Sequence, residues 1–167
     1  MLTKRLEKAL NDQMNFEIYS AHIYLAMAGY CAELGLEGFE NWFLVQYEEE
    51  LFHAKKFFKF ISSKGGRIII TGFENPENDY PSLLSVYEKS LEHEQLVTSR
   101  IYDLMSIAHE EKEYATTSFL QWFIDEQLEE EESVANIISK IKLVKDAGLY
   151  LLDQEVAQRT FVPPTGE

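Results

Sequence analysis

Residues 39–60 read FENWFLVQYEEELFHAKKFFKF, and this stretch decides what kind of protein the chain makes. Alternating steps of four and three pick out Phe39, Phe43, Gln46, Glu50, His53, Phe57 and Phe60, one face of a long helix. That face is aromatic at both ends and polar in the middle. Glu50 and His53 therefore point inward, where an ionised carboxylate costs several kcal/mol unless an opposite charge meets it. Their i, i+3 spacing sets a carboxylate oxygen and a ring nitrogen one turn apart on the same side. Such a pair suits a single metal ion held between them.

The flanking segments repeat the pattern. A first helix over about 5–34 presents Leu6, Leu10, Gln13, Glu17, Ala21, Tyr24, Ala28 and Cys31, and Gly35 supplies a left-handed cap. A second apolar row, Phe16, Tyr19, Ile23, Met27 and Tyr30, predicts that this helix is covered twice, by its own bundle and by a neighbouring subunit. The turn Gly35–Gly38 is only long enough to reverse direction, so the second helix, about 38–64, packs antiparallel until Gly65-Gly66 ends it.

Residues 65–81 hold Pro76, Pro81, three glycines and a short β-prone run, Arg67 to Ile70. Extended, this stretch covers roughly 55 Å, more than the roughly 40 Å of the preceding helix, so it can run the bundle's whole length as a crossover. Ser82 is an N-cap for a third helix, about 83–110, with the stripe Leu84, Tyr87, Leu91, Glu94, Thr98, Ile101, Met105 and Ala108. A fourth, about 114–145, shows Leu120, Phe123, Gln127, Glu130, Val134, Ile137, Ile141 and Val144. Gly148 is expected to end it, before a short fifth helix over about 149–158 and a Pro-bearing tail to Glu167. The expected architecture is one all-α domain, 1–167.

Each long helix breaks its apolar stripe once, near its midpoint: Glu17, Glu50 with His53, Glu94, and Gln127 with Glu130. In an antiparallel bundle, mid-helix positions share a level whichever way each helix runs. Four carboxylates at one dry level cannot all stay ionised without counter-charge. No lysine or arginine occupies these stripe positions. Oxygen-rich ligation with one imidazole fits a hard or borderline divalent ion, and four acids suffice for two such ions bridged by a shared carboxylate.

The totals agree with that reading. Fifteen basic against twenty-nine acidic side chains give a net charge of −14, which repels nucleic acid and anionic lipid and favours cationic partners. No apolar run is long enough to span a membrane, and Met1 to Leu10 lacks the form of a secretory signal, so a cytoplasmic protein is expected. The single cysteine, Cys31, excludes an intrachain disulfide and any CxxC metal knot.

Three stretches carry a resemblance to the ferritin-like di-iron carboxylate proteins, and within them to non-haem prokaryotic ferritins: Gly35 to Phe39, the Glu-Glu-Leu-x-His-Ala run at Glu49 to Ala54, and Gln121 through Glu131. The resemblance implies a ferritin-like four-helix bundle, up-down-down-up, with one long crossover between its second and third helices. It implies a first iron held by Glu17, Glu50 and His53, and a second by Glu50, Glu94 and Glu130, with Gln127 beside it. A third, weaker iron position matches Glu49, Glu126, Glu129 and Glu130. Tyr24 matches a tyrosine close to the centre that donates a hydrogen bond or an electron.

The activity so implied is iron storage with ferroxidase chemistry. Fe²⁺ is oxidised by O₂ or H₂O₂ and laid down as ferric mineral inside a homo-oligomeric shell of 24 subunits. Two departures sharpen the expectation. Gln127-x-x-Glu130 replaces a second Glu-x-x-His, making the two iron positions unequal, and residues 48–54 contain no methionine for an intersubunit haem. The alternative is a rubrerythrin-like di-iron oxidase or peroxidase that retains its metals, although the CxxC pairs of such a protein's electron-transfer domain are absent.

Overall fold

The structure, a computed structural model, describes residues 2–163. Met1 and the tail residues 164–167 lie outside the described residues. Four helices follow in order: α1 (Lys4–Glu33), α2 (Glu37–Ser63), α3 (Leu83–Glu110) and α4 (Tyr114–Val156). Among the described residues there is no β-strand.

Local chemistry sets the ends. Thr3 caps α1 by accepting from the Leu6 N–H, and Ser82 with Ser85 forms a reciprocal capping box at the start of α3. Gly35 and Gly65 take the positive φ, 71° each, that closes α1 and α2.

The core consists of two apolar clusters. One holds Leu6, Leu10 and Met14 of α1, Phe57 and Ile61 of α2, Val97, Ile101 and Leu104 of α3, and Leu120 and Phe123 of α4. The other holds Tyr24, Met27 and Cys31, then Phe39 and Phe43, then Val86 and Tyr87, then Val134 and Ile137. Along the chain α1 runs from the first cluster to the second, α2 and α3 both run back, and α4 returns. That is the up-down-down-up order, with α2 and α3 parallel and joined by the crossover. All the stripe-breaking residues fall between the clusters, so the bundle has an apolar core with a polar slab across its middle.

The β-prone run Arg67–Ile70 forms no strand, because a helix supplies its hydrogen bonds. Asn11 donates to the Arg67 carbonyl at 2.9 Å and accepts from the Ile69 N–H at 2.8 Å. One turn on, Asn15 donates to the Ile69 carbonyl at 2.7 Å and accepts from the Thr71 N–H at 2.9 Å. The i, i+4 asparagines match the period-two spacing of an extended chain, so the crossover is zipped along α1 with its backbone satisfied.

The helix expected over 149–158 is present as a distal segment that ends at Val156. It is the far end of α4, beyond a break at Lys145, where φ is 51° and ψ −174°. Gly148, the residue expected to end the helix, lacks a positive φ. The break lies where it does because the distal segment must fold back to bury Leu152, Asp153 and Val156. The Asp153 carboxylate accepts from the Gly38 and Phe39 N–H groups at 2.9 and 3.1 Å. The residue preceding α2, Leu36, has no side chain that can cap, so an acid 115 positions away does it.

Candidate metal centre

Glu17, Glu50, His53, Glu94, Gln127 and Glu130, one or two from each helix, sit in the polar slab, none more than 4 % exposed. Ligand atoms of Glu17, Glu50 and His53 lie within 4.8 Å of one another, as do those of His53, Glu126 and Glu130. His53 joins the two groups: its Nδ1 is 3.5 Å from Glu50 Oε2 and its Nε2 is 3.7 Å from Glu126 Oε1. Trp122 and Phe123 pack edge-on against the ring, with Phe52 behind, and form a dry wall.

Glu94 belongs to neither tight group. It accepts a hydrogen bond from the Tyr24 hydroxyl, and Gln127 Nε2 donates to its other oxygen at 3.0 Å. Tyr24 and Gln127 thus hold the α3 carboxylate from opposite sides. Glu49, Glu126, Glu129 and Glu130 line a separate cavity of about 150 Å³ at the rim, together with Ser133 and Arg159. Glu126 is common to the rim and the inner groups, and its side chain is 25 % exposed.

Two matching relays orient the inner acids. Gln13 Nε2 donates to Glu17 Oε1 at 2.9 Å while Gln13 Oε1 accepts from Arg100 Nε at 2.9 Å. Gln46 Nε2 donates to Glu130 Oε2 at 2.9 Å while Gln46 Oε1 accepts from Arg159. An arginine can only donate and an ionised carboxylate can only accept, so each amide has one orientation that serves both. The arginine charge reaches the site as a polarised amide, without occupying it.

That compensation is partial. Glu17 Oε2 and Glu50 Oε2 are buried and have no hydrogen-bond partner among the described residues, the condition that a bound cation relieves. An all-oxygen set with one imidazole suits Fe²⁺, Mn²⁺ or Zn²⁺.

Burial, reinforced by the neighbouring Glu130 charge, pushes the Glu94 carboxyl from 4.5 up to about 8. Burial likewise raises Glu50 and Glu130, and takes Glu49 to about 7. His53 is drawn down by burial but raised further by Glu126 and Glu50, ending well above its usual range. All these shifts bear on stability with the same sign. Between 4.5 and about 8 the unfolded chain sheds the Glu94 proton while the fold keeps it, so metal-free stability is lost progressively as pH rises through that window. His53, also raised, loses its contribution in the same direction.

The metal-free protein is therefore expected to melt lower at about pH 8 than at about pH 5, by several degrees. Zn²⁺ restores the loss, and its effect grows with pH because binding displaces protons. Thermal melts with Zn²⁺ or chelator check the direction, and calorimetry in buffers of different ionisation enthalpy counts the protons.

Sequence reasoning passed over four contributors. Gln13 lies one turn before Glu17, and that i, i+4 spacing was a usable signal, whereas Gln46 sits one turn before Glu50 but serves Glu130 of another helix. Arg100 lies off the α3 stripe and Arg159 lies in the non-helical tail, where no periodicity marks it. His93 is also buried, bonded through Nε2 to Ser20 Oγ at 2.8 Å.

The pattern of the ferritin-like domain matches residues 7–144. The bacterial non-heme ferritin of Staphylococcus aureus (strain USA300) is 44 % identical over 163 residues, 96 % of this chain and 98 % of that one. That of Staphylococcus saprophyticus is 43 % identical over the same span. Among solved structures, an engineered closed form of the Archaeoglobus fulgidus ferritin superposes with a TM-score of 0.95 at 44 % identity, over 97 % of this chain and all of that one. The open-pore ferritin of the same archaeon gives 0.94 at 44 % identity, over 96 % and 100 %. Agreement in pattern, in near end-to-end identity and in backbone places this chain in the ferritin family of ferritin-like domains.

Proposed function

We propose that the protein stores iron and oxidises it: Fe²⁺ is taken up at the bundle centre, converted to Fe³⁺ by O₂ or H₂O₂, and passed on to a ferric mineral. The observation that carries this is the pair of buried carboxylate oxygens on Glu17 and Glu50, beside His53, that lack a hydrogen-bond partner among the described residues at the level where the apolar core is interrupted. Glu17, Glu50 and His53 hold the first iron. Glu50, Glu94 and Glu130 hold the second, with Gln127 orienting Glu94. Glu49, Glu126, Glu129 and Glu130 form a third, weaker position at the rim.

The protein's contribution is placement. Two ferrous ions held side by side give one oxidant access to two electrons at once. The Tyr24 hydroxyl bonded to Glu94 keeps that carboxylate aimed and is a phenol placed to donate a further electron. Glu126, half-shared between inner and rim groups, is the step by which an oxidised ion leaves. The net charge of −14 draws Fe²⁺ in and suits an acidic inner surface for mineral growth.

Storage requires a container. Leu25, Phe58, Ile70 and Phe73 remain between 42 % and 64 % exposed on one chain. An apolar groove of about 240 Å³ runs between Met14 and Ile18 on α1 and Leu51, Ala54 and Phe58 on α2. Such surface on a bundle of this size is what closed self-association covers. The expected assembly is a hollow shell of 24 subunits, working in the cytoplasm. Among the described residues no helix is long and apolar enough to cross a membrane.

One experiment separates this reading from a di-iron oxidase. On stepwise aerobic addition of Fe²⁺, a store takes up many tens of irons per chain and shows electron-dense cores inside particles of uniform diameter. Uptake that stopped near two irons per chain, or a monomer in light scattering, would overturn storage.

A further inference from the structure

The tail after α4 returns to the metal centre. Asn41 Nδ2 holds the Ala157 and Arg159 carbonyls at 3.3 and 2.9 Å, and Phe161 packs edge-on against Phe52. Between these anchors the Arg159 guanidinium lies over the Trp42 ring at 4.4 Å and donates to the Trp42 carbonyl at 3.3 Å. It also donates to Gln46 Oε1 and, at 2.5 Å, to Glu49 Oε2. The guanidinium thus stands inside the rim cavity, against one of the four acids there and one amide away from another, Glu130.

We propose that Arg159 is the protein's own stand-in cation for the rim position: it holds Glu49 and Glu130 while the rim is unloaded, and a metal ion binding there must displace it. This inference rests on the rim acids being the third iron position. The same four acids cannot satisfy a guanidinium and a divalent ion at once, because the Glu49 oxygen that accepts from Arg159 is engaged for as long as the pair lasts. Competition keeps the rim weaker than the inner pair, which lets oxidised iron pass through it. Through Gln46, departure of Arg159 also frees Glu130, the acid shared by the inner and rim positions, so loading at the rim loosens the neighbouring ion. Arg159 is in this sense a positioning residue that acts through Glu49 and Gln46. Arg100, its counterpart on Gln13, meets no rim acid through its own bonds to Gln13 and the Asp12 carbonyl and has no such role.

The test is a Zn²⁺ titration of the assembled, metal-free protein by calorimetry, with no oxidation step involved. Arg159→Met is expected to tighten the weakest site about tenfold, the size of one half-buried charge pair, while the site built on Glu17 and His53 stays within about threefold. Arg159→Lys, which keeps the charge, is expected to behave like the parent. A purely structural tail anchor would instead weaken all sites together or none. The proposal is overturned if the weakest site is unchanged in Arg159→Met, if all three sites shift together, or if the lysine variant matches the methionine one. Glu129→Ala, whose residue makes no bond to Arg159, tests the underlying reading separately. If it leaves the weakest Zn²⁺ in place, the rim is not the third position, whatever Arg159 does.

Discussion

Replacing Glu50 by alanine is expected to slow rapid Fe²⁺ oxidation by more than about 100-fold, because ligand loss must exceed the 10–100-fold typical of residues behind the ligands. Glu50 is the acid shared by both proposed inner irons, and its Oε2 is one of the two buried carboxylate oxygens without a hydrogen-bond partner among the described residues. Without it, His53 Nδ1 loses its nearest carboxylate, and Glu17 faces only one other ligand of its group. Glu50→Gln is expected to fail almost as badly. The amide keeps the shape but brings no charge to offset a divalent ion.

The same change acts on the metal-free fold with the opposite sign. Glu50 is raised first of all by burial, and its ionisation is opposed by Glu17 and Glu94. Removing it relieves the carboxylates of a like-charged neighbour. Glu50→Gln should therefore melt higher than the parent in chelator at about pH 8, and lose the extra stability that the parent gains from Zn²⁺. Stopped-flow oxidation and paired melts check both halves. A misfolded variant would lose activity and stability together, so slow oxidation with a raised metal-free melting temperature isolates the ligand role. Unchanged rapid oxidation would remove Glu50 from the centre.

Why the inner residues were legible in the sequence follows from the same electrostatics. A buried glutamate in an apolar stripe is so costly that each one stands out, and mid-helix placement converts four such anomalies into one level of a bundle. The helices themselves followed from caps and glycines that act locally, as at Ser82, Gly35 and Gly65. Long-range partnerships were not legible. Asn11 and Asn15 read as ordinary polar helix positions until the crossover lies beside them, and the β-prone run cannot announce that a helix will satisfy it. The fourth helix breaks at Lys145, the bound its stripe predicts, but Lys145 itself takes the positive φ that Gly148 was expected to supply, and the segment beyond is held by the docking of Asp153. Arg159 went unread for the same reason: its role exists only after the tail has folded back.

That return hinges on Gly38, and Gly38→Ala is expected to unseat the distal part of α4. A Cβ built at Gly38 falls 1.8 Å from the Asp153 carbonyl oxygen and 2.9 Å from its carboxyl carbon, so backbone must move. Gly35 supplies the contrast. It has open space around its Cβ position and is constrained only by its positive φ. At Gly38 the conflict is contact, and it lies at the bond where Asp153 caps α2. Separation forfeits a charged cap worth about 1–2 kcal/mol and re-exposes Leu152 and Val156, each worth about 1.5–3 kcal/mol when fully buried. Ordering entropy regained by the freed segment offsets part of this.

The expected outcome is a protein whose bundle stays folded while the chain beyond Lys145 becomes open to limited proteolysis, with cleavage near Gly148 to Leu151. Asp153→Asn should do less, since the amide oxygen still accepts from the two N–H groups without the clash. Because Arg159 follows Asp153 on the same segment, Gly38→Ala should also tighten the weakest Zn²⁺ site as Arg159→Met does, from a substitution that leaves Arg159 itself in place. A Gly38→Ala protein that resisted proteolysis as well as the parent would show that α2 can shift to admit the methyl group, and that the docking of the tail is looser than this packing implies.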